Sequence, residues 1–166
     1  MEKVLIKDNE TTIDKNAQQV LSLRFDDVDL LKCSDDKFME VFEKEPIQLA
    51  KQCTSSNYSK FNDIHNQWIL SCQNCANMFT ILAHRGSYKS TTLRFFLLFE
   101  MIRNPKRSYL YLHSIEPYAY TAMRDMAMMG SNKVIKRLVQ ILYKIEDFRV
   151  KPHKAGLETN LPYKAS

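Results

Sequence analysis

The period of apolar and polar positions changes several times along the chain, and each change predicts a different element. "SDDKFMEVFEKEPIQLAKQC" places Phe38, Val41 and Phe42 at helical spacing. Ser34 before it is a cap, and Asp35 and Asp36 suit the positive end of a helix. Pro46 breaks or restarts that helix. "SSNYSKFNDIHNQWILSCQNC" predicts a second helix, with Phe61, Ile64, Trp68 and Cys72 (or Cys75) on one face and His65 beside the stripe as a packed or capping residue. "NMFTILAH" is a short continuous run rich in apolar and β-branched residues, the signature of a buried strand.

"STTLRFFLLFEMIRN" returns to helix, patterned by Leu93, Phe96, Leu97 and Glu100 and stopped by Asn104-Pro105. "RSYLYLHS" predicts another strand. Pro117, in a first turn where a missing N–H costs nothing, opens a helix that runs to Gly130 with Met123, Met126 and Ala127 as its core stripe. Ser131 caps "NKVIKRLVQILYKI", with Val134, Leu138, Ile141 and Leu142 on one face. Residues 1–17 read as polar and frayed, "QQVLSLRF" and "VDLLKC" as short apolar pieces of unsettled type, and "DFRV" and "KPHKAGLETNLPYKAS" as an irregular tail. Strand, loop, helix, strand and helix in the middle make a βαβ unit with a further helix, which implies parallel strands with covered faces.

The loop between the first strand and its helix, "HRGSYKS", is the place where a phosphate-binding loop belongs. There, backbone N–H groups and the helix N-terminus form a positive cradle. Lys89 is placed to reach β- and γ-phosphates, Ser90 to give a hydroxyl to Mg²⁺, and Thr91 with the first-turn amides to hold the α/β-phosphates. Gly86 lets the backbone curl without a Cβ in the way. Measured against GxxxxGK[ST], Ala83 and Tyr88 stand where glycines are expected. Nucleotide-binding candidates are therefore Arg85, Gly86, Ser87, Tyr88, Lys89, Ser90 and Thr91, with Ser90 the metal-side hydroxyl. A polar strand-to-helix turn is the competing reading.

Composition narrows the picture further. The chain has 166 residues, of which 45% are hydrophobic, enough for a core and too many for global disorder. Residues 1–50 carry 7 Lys+Arg against 12 Asp+Glu, and residues 51–166 carry 17 against 7, so the basic part holds the loop. That balance suits a phosphate-rich partner or an ordinary solvated surface. No apolar run approaches the ~20 residues of a membrane span, and the N-terminus lacks a secretory pattern, so a cytoplasmic protein with reduced cysteines is expected. Cys72 and Cys75 have zinc-ligand spacing, but no second pair completes four ligands.

Arg85, four residues before Lys89, gives the loop a family resemblance. "ILAHRGSYKSTTLRFFLLFEMIRNPKRSYLYLHSIEPYA" resembles the ATPase domain of the large terminase subunit, the DNA-packaging motor of tailed bacteriophages, over residues 55–160. The resemblance implies a P-loop NTPase, ATP with Mg²⁺, and catalytic roles for Arg85 and Lys89. It also implies double-stranded DNA, a remaining terminase chain, a small terminase subunit or a portal as partners, in a bacterial host cytoplasm. No apolar run ending in acids follows as a Walker B strand. Glu146-Asp147 follows "LVQILYKI", which reads as helix. The expected fold class is thus α/β, an incomplete P-loop NTPase domain (55–166) with a parallel βαβ core, preceded by an acidic, mainly helical segment (1–54). Little ATP turnover is expected of it alone. The alternative is a non-enzymatic DNA- or protein-binding module contacting phosphates through Arg103, Lys106, Arg107, Lys133, Lys136 and Arg137; a helicase-like ATPase is a third option.

Overall fold

The computed structural model describes residues 25–53, 60–75, 80–153 and 156–162, and among these the regular structure is six helices and one two-stranded antiparallel hairpin. In chain order these are α1 (Asp35–Lys44), α2 (Ile47–Cys53), α3 (Asp63–Asn74), α4 (Lys89–Arg103), α5 (Glu116–Gly130), α6 (Lys133–Tyr143), β1 (Val150–His153) and β2 (Gly156–Thr159).

Local signals set most helix ends. Ser34 Oγ accepts from the Lys37 amide at 3.3 Å and starts α1. Pro46 separates α1 from α2 as expected. Asn132, rather than Ser131, caps α6: its Oδ1 accepts from the Val134 amide at 2.9 Å. The Ser131 hydroxyl turns back to the Ala127 carbonyl at 3.1 Å and closes α5.

The expected α/β class, an incomplete P-loop NTPase domain on a parallel βαβ core, is overturned. Residues 80–84 and 108–113 run without helix or ladder, and the sheet of the described residues holds only β1 and β2. Residues 77–79 of the first expected strand lie outside the described residues. A strand is defined by the neighbour that pairs its N–H and C=O groups, and hydrophobic patterning cannot supply that neighbour. The second segment is tied elsewhere: the Tyr109 hydroxyl donates to the Glu100 carbonyl at 2.8 Å, fastening it to the end of α4. Leu82, Leu110 and Leu112, in the two runs read as strands, are 92%, 79% and 78% exposed. The tail read as irregular instead forms the hairpin, with Val150 opposite Thr159 and His153 opposite Gly156.

The core is a file of aromatic rings. Phe42 of α1 meets Phe99 of α4 edge-on at 5.5 Å, Phe99 lies 5.9 Å from Phe95, and Phe95 lies 6.1 Å from Phe61 at the start of α3. α4 buries Thr92, Phe95, Leu98, Phe99 and Ile102, so the face marked by Leu93, Phe96 and Leu97 is its second, half-buried side. α3 buries His65, Asn66 and Ile69 and leaves Ile64 half exposed. α6 stays helical through "LVQILY" and packs Val134, Ile135, Leu138 and Val139 inward, against α2 and α1. The hairpin rests on α5, where a Cβ on Gly130 would stand 2.5 Å from Val150 Cγ2. Gly130 is therefore a close-approach glycine as well as a helix end. No helix of the described residues is long and apolar enough to cross a membrane.

Candidate phosphate-binding loop

Residues 84–88 lead the chain through a turn into α4, which begins at Lys89. Two of these residues have left-handed backbones: Gly86 at φ +85 and Tyr88 at φ 55, ψ 15. Tyr88 occupies the position where the loop pattern calls for glycine, and it adopts the conformation that glycine would take most easily. Thr92 holds it there. The amide and hydroxyl of Thr92 both donate to the Tyr88 carbonyl, at 2.9 and 3.0 Å. A left-handed residue followed by a right-handed helical one turns successive N–H groups toward one concavity, the nest arrangement that receives anions. Here the pair is Tyr88 and Lys89.

The helix end adds to this field. α4 has no side-chain cap and no acidic residue in its first turn, so the amides of Lys89, Ser90 and Thr91 lack intrahelical acceptors. Lys89 Nζ folds back across the loop and donates to the Ala83 carbonyl at 3.3 Å. Arg85 and Ser90 are exposed, while Ser87, Tyr88, Lys89 and Thr91 are partly buried. Ser87 Oγ is buried and has no hydrogen-bond partner among the described residues.

α3 supports the loop from below. The His65 ring is 5% exposed, and its Nε2 donates to the Ser87 carbonyl at 3.0 Å. Its Nδ1 accepts the Asn62 amide at 3.1 Å, which fixes the ring at the start of α3. Phe61 packs between His65 (5.2 Å) and Tyr88 (5.9 Å). The structure thus brings Arg85 through Thr91 together on one turn, and it adds Phe61, His65 and Thr92 beneath. Those three were not among the sequence candidates; the Asn62–His65 spacing of a reciprocal cap was the signal for His65.

The other candidates are dispersed. Arg103 pairs with Glu100, donates to the Phe42 carbonyl at 3.2 Å and lies 4.3 Å from the Phe42 ring. Arg137 donates to the carbonyls of Leu30 (2.6 Å) and Cys33 and to Asp35 (3.1 Å). Both guanidinium groups are thus engaged in holding helices together, leaving Lys106, Arg107 and Lys133 as the exposed members of that basic set. Glu146 and Asp147 lie in a bend after α6, and Asp147 is paired with Arg149. Burial, then the neighbouring Cys75, push the Cys72 thiol up, which disfavours a metal-binding thiolate. Among the described residues no three His, Cys, Asp or Glu side chains stand together as a metal site.

A groove of 590 Å³ lies elsewhere among the described residues, lined by Leu97 and Met101 of α4, Met123 and Met126 of α5, residues 107–111, and all of β2. Comparison with known protein families, with characterised proteins and with solved structures finds no match.

Proposed function

We propose that residues 83–92 bind the phosphate groups of a nucleotide, with ATP as the ligand that the terminase resemblance favours. One observation carries this reading: the left-handed Tyr88 followed by helical Lys89 at an uncapped helix start, with no carboxylate in the first turn. The nest and helix end would receive phosphate oxygens, and Lys89 would leave the Ala83 carbonyl for a stronger, charge-assisted contact. Arg85, exposed at the rim, would approach the terminal phosphate. Tyr88 substitutes for glycine because Thr92 and Phe61 hold its backbone and ring.

These residues fit an anion better than a free metal ion. Ser90 is a single exposed hydroxyl in the first turn, and no acidic cluster accompanies it among the described residues. Magnesium would enter already bound to the phosphates, with Ser90 as one protein ligand. On this reading the chain contributes the ATP-binding part of a packaging motor of the terminase type, and the acidic groups for hydrolysis come from another polypeptide.

The test is calorimetric titration of Mg·ATP into wild type and Lys89→Ala. Loss of the charge-assisted contact, worth roughly 1.5–3 kcal/mol, weakens binding about 10- to 150-fold. Equal affinity in the two proteins defeats the proposal and favours the DNA- or protein-binding alternative.

A further inference from the structure

The groove between β2 and residues 107–111 has the features of a receptor for a polypeptide strand. All four residues of β2 line it and none of β1 does, so it lies on the edge of β2 that β1 leaves unpaired. An outer strand points alternate N–H and C=O groups away from its partner. The opposite wall is also without ladder pairing among the described residues. Residues 108–113 make no backbone–backbone hydrogen bond among the described residues, and the Tyr109 hydroxyl bonds on Glu100 and Asn104 hold that wall to α4. The floor is formed by Leu97, Met101, Met123 and Met126, a flexible apolar surface that adapts to inserted side chains.

Size agrees with this use. A strand residue packed against a second layer takes roughly 160 Å³, from about 4.8 Å between strands, about 3.3 Å along the strand and about 10 Å between layers. The 590 Å³ groove thus has room for a strand at least as long as β2. The groove carries charge of both signs: Glu158 at the rim accepts a hydrogen bond from His153 at 2.7 Å, and Arg107 is exposed with no ion-pair partner among the described residues.

We propose that this groove binds an extended strand of a partner protein by strand addition to β2, with apolar side chains facing the methionine floor and a carboxylate facing Arg107. Main-chain hydrogen bonds supply the attraction, and alternate side chains supply the selection. The proposal is independent of the phosphate-loop reading.

An acetylated and amidated heptapeptide of alternating valine and glutamate is the probe, titrated into the full-length chain under amide-resolved NMR. Saturable shifts are expected at residues 107–111 and 156–159. Methylating alternate peptide nitrogens removes the strand's donors and is expected to weaken binding about tenfold or more. Replacing glutamate with lysine in the peptide weakens it, and Arg107→Glu, a surface change, reverses that preference. Absence of saturable shifts at about 1 mM peptide overturns the proposal, as does equal binding by the methylated peptide. Concentration-dependent shifts of the chain alone at the same residues also overturn it, since a second copy would then fill the groove.

Discussion

Gly130→Ala is the sharpest test of how the hairpin is seated. The new Cβ would stand 2.5 Å from Val150 Cγ2, 3.2 Å from Val150 Cβ and 3.7 Å from Phe148 Cε1. Carbon atoms settle at about 3.5–4.0 Å, so β1 would have to move off α5 by roughly 1 Å. Overpacking of this kind costs about 1–3 kcal/mol, against a helix-propensity gain of about 1 kcal/mol at most. The net expectation is a loss of up to roughly 2 kcal/mol, or up to about 8 °C in Tm for a chain of this size. Val150 is 7% exposed, so Val150→Ala alone also destabilises, by about 1.6 kcal/mol for two buried methyl groups. The double variant removes the clash, and its loss should fall short of the sum by about 1 kcal/mol. Urea unfolding of the four proteins gives the cycle. A Gly130→Ala protein more stable than wild type, or strict additivity, would refute the close approach.

Arg137→Gln should cost roughly 1.5–3 kcal/mol in urea unfolding, because it removes the charge-assisted bonds to the Leu30 and Cys33 carbonyls; Arg137→Lys should not restore them, since an ammonium cannot span the fork. Hydrogen bonds from Lys37 and Lys44 lower the Glu40 carboxyl to about 2. Its contribution to stability is therefore fully present above pH ~4.5 and lost as the pH falls toward about 2. Glu40→Gln should flatten acid unfolding in that window, and an unchanged curve would dissociate the pair from stability. Pure protein should release no phosphate at rates near ~1 s⁻¹, and turnover at that rate abolished by Lys89→Ala would mean that the described acids suffice. Tyr88→Gly relieves a left-handed side chain by about 1–2 kcal/mol and loses the ring contact with Phe61, so stability should change by less than about 1 kcal/mol while Mg·ATP affinity persists. Loss of affinity would show that the ring itself meets the ligand.

Helices were legible in the sequence where a local chemical signal marked their ends. Ser34 with its two aspartates, Pro46, Asn104-Pro105 and Pro117 all bound helices as read. Helix faces were less legible. α4 is apolar on two sides, so only the partners Phe42 and Phe61 decide that Phe95 and Phe99 point inward. On α3 the buried polar pair His65 and Asn66 takes the core side and turns Ile64 outward; Asn66 accepts the Ile47 amide at 3.2 Å and donates to the Lys44 carbonyl at 3.2 Å. The two expected strands failed for a different reason: their apolar runs were real, but pairing depends on a distant neighbour. The hairpin escaped notice because Lys151, Pro152 and His153 are exposed polar or ring residues with no alternating pattern. In the loop, the sequence offered Arg85 to Thr91 as candidates, while the support that His65 and Thr92 give to that turn required the three-dimensional arrangement.

The Arg137 clamp has a consequence for biosynthesis. It joins α6 to residues made long before, across separations of 107 and 104 positions, and Asn132 reaches the Cys53 carbonyl across 79. On the ribosome, α1 and α2 emerge well ahead of α6, the helix that later covers them. At about 5–20 residues per second, roughly 5–20 s pass while α1 and α2 have no α6 to pack against. Nascent chains halted before residue 132 should therefore be the species held by chaperones, and release should coincide with the emergence of α6.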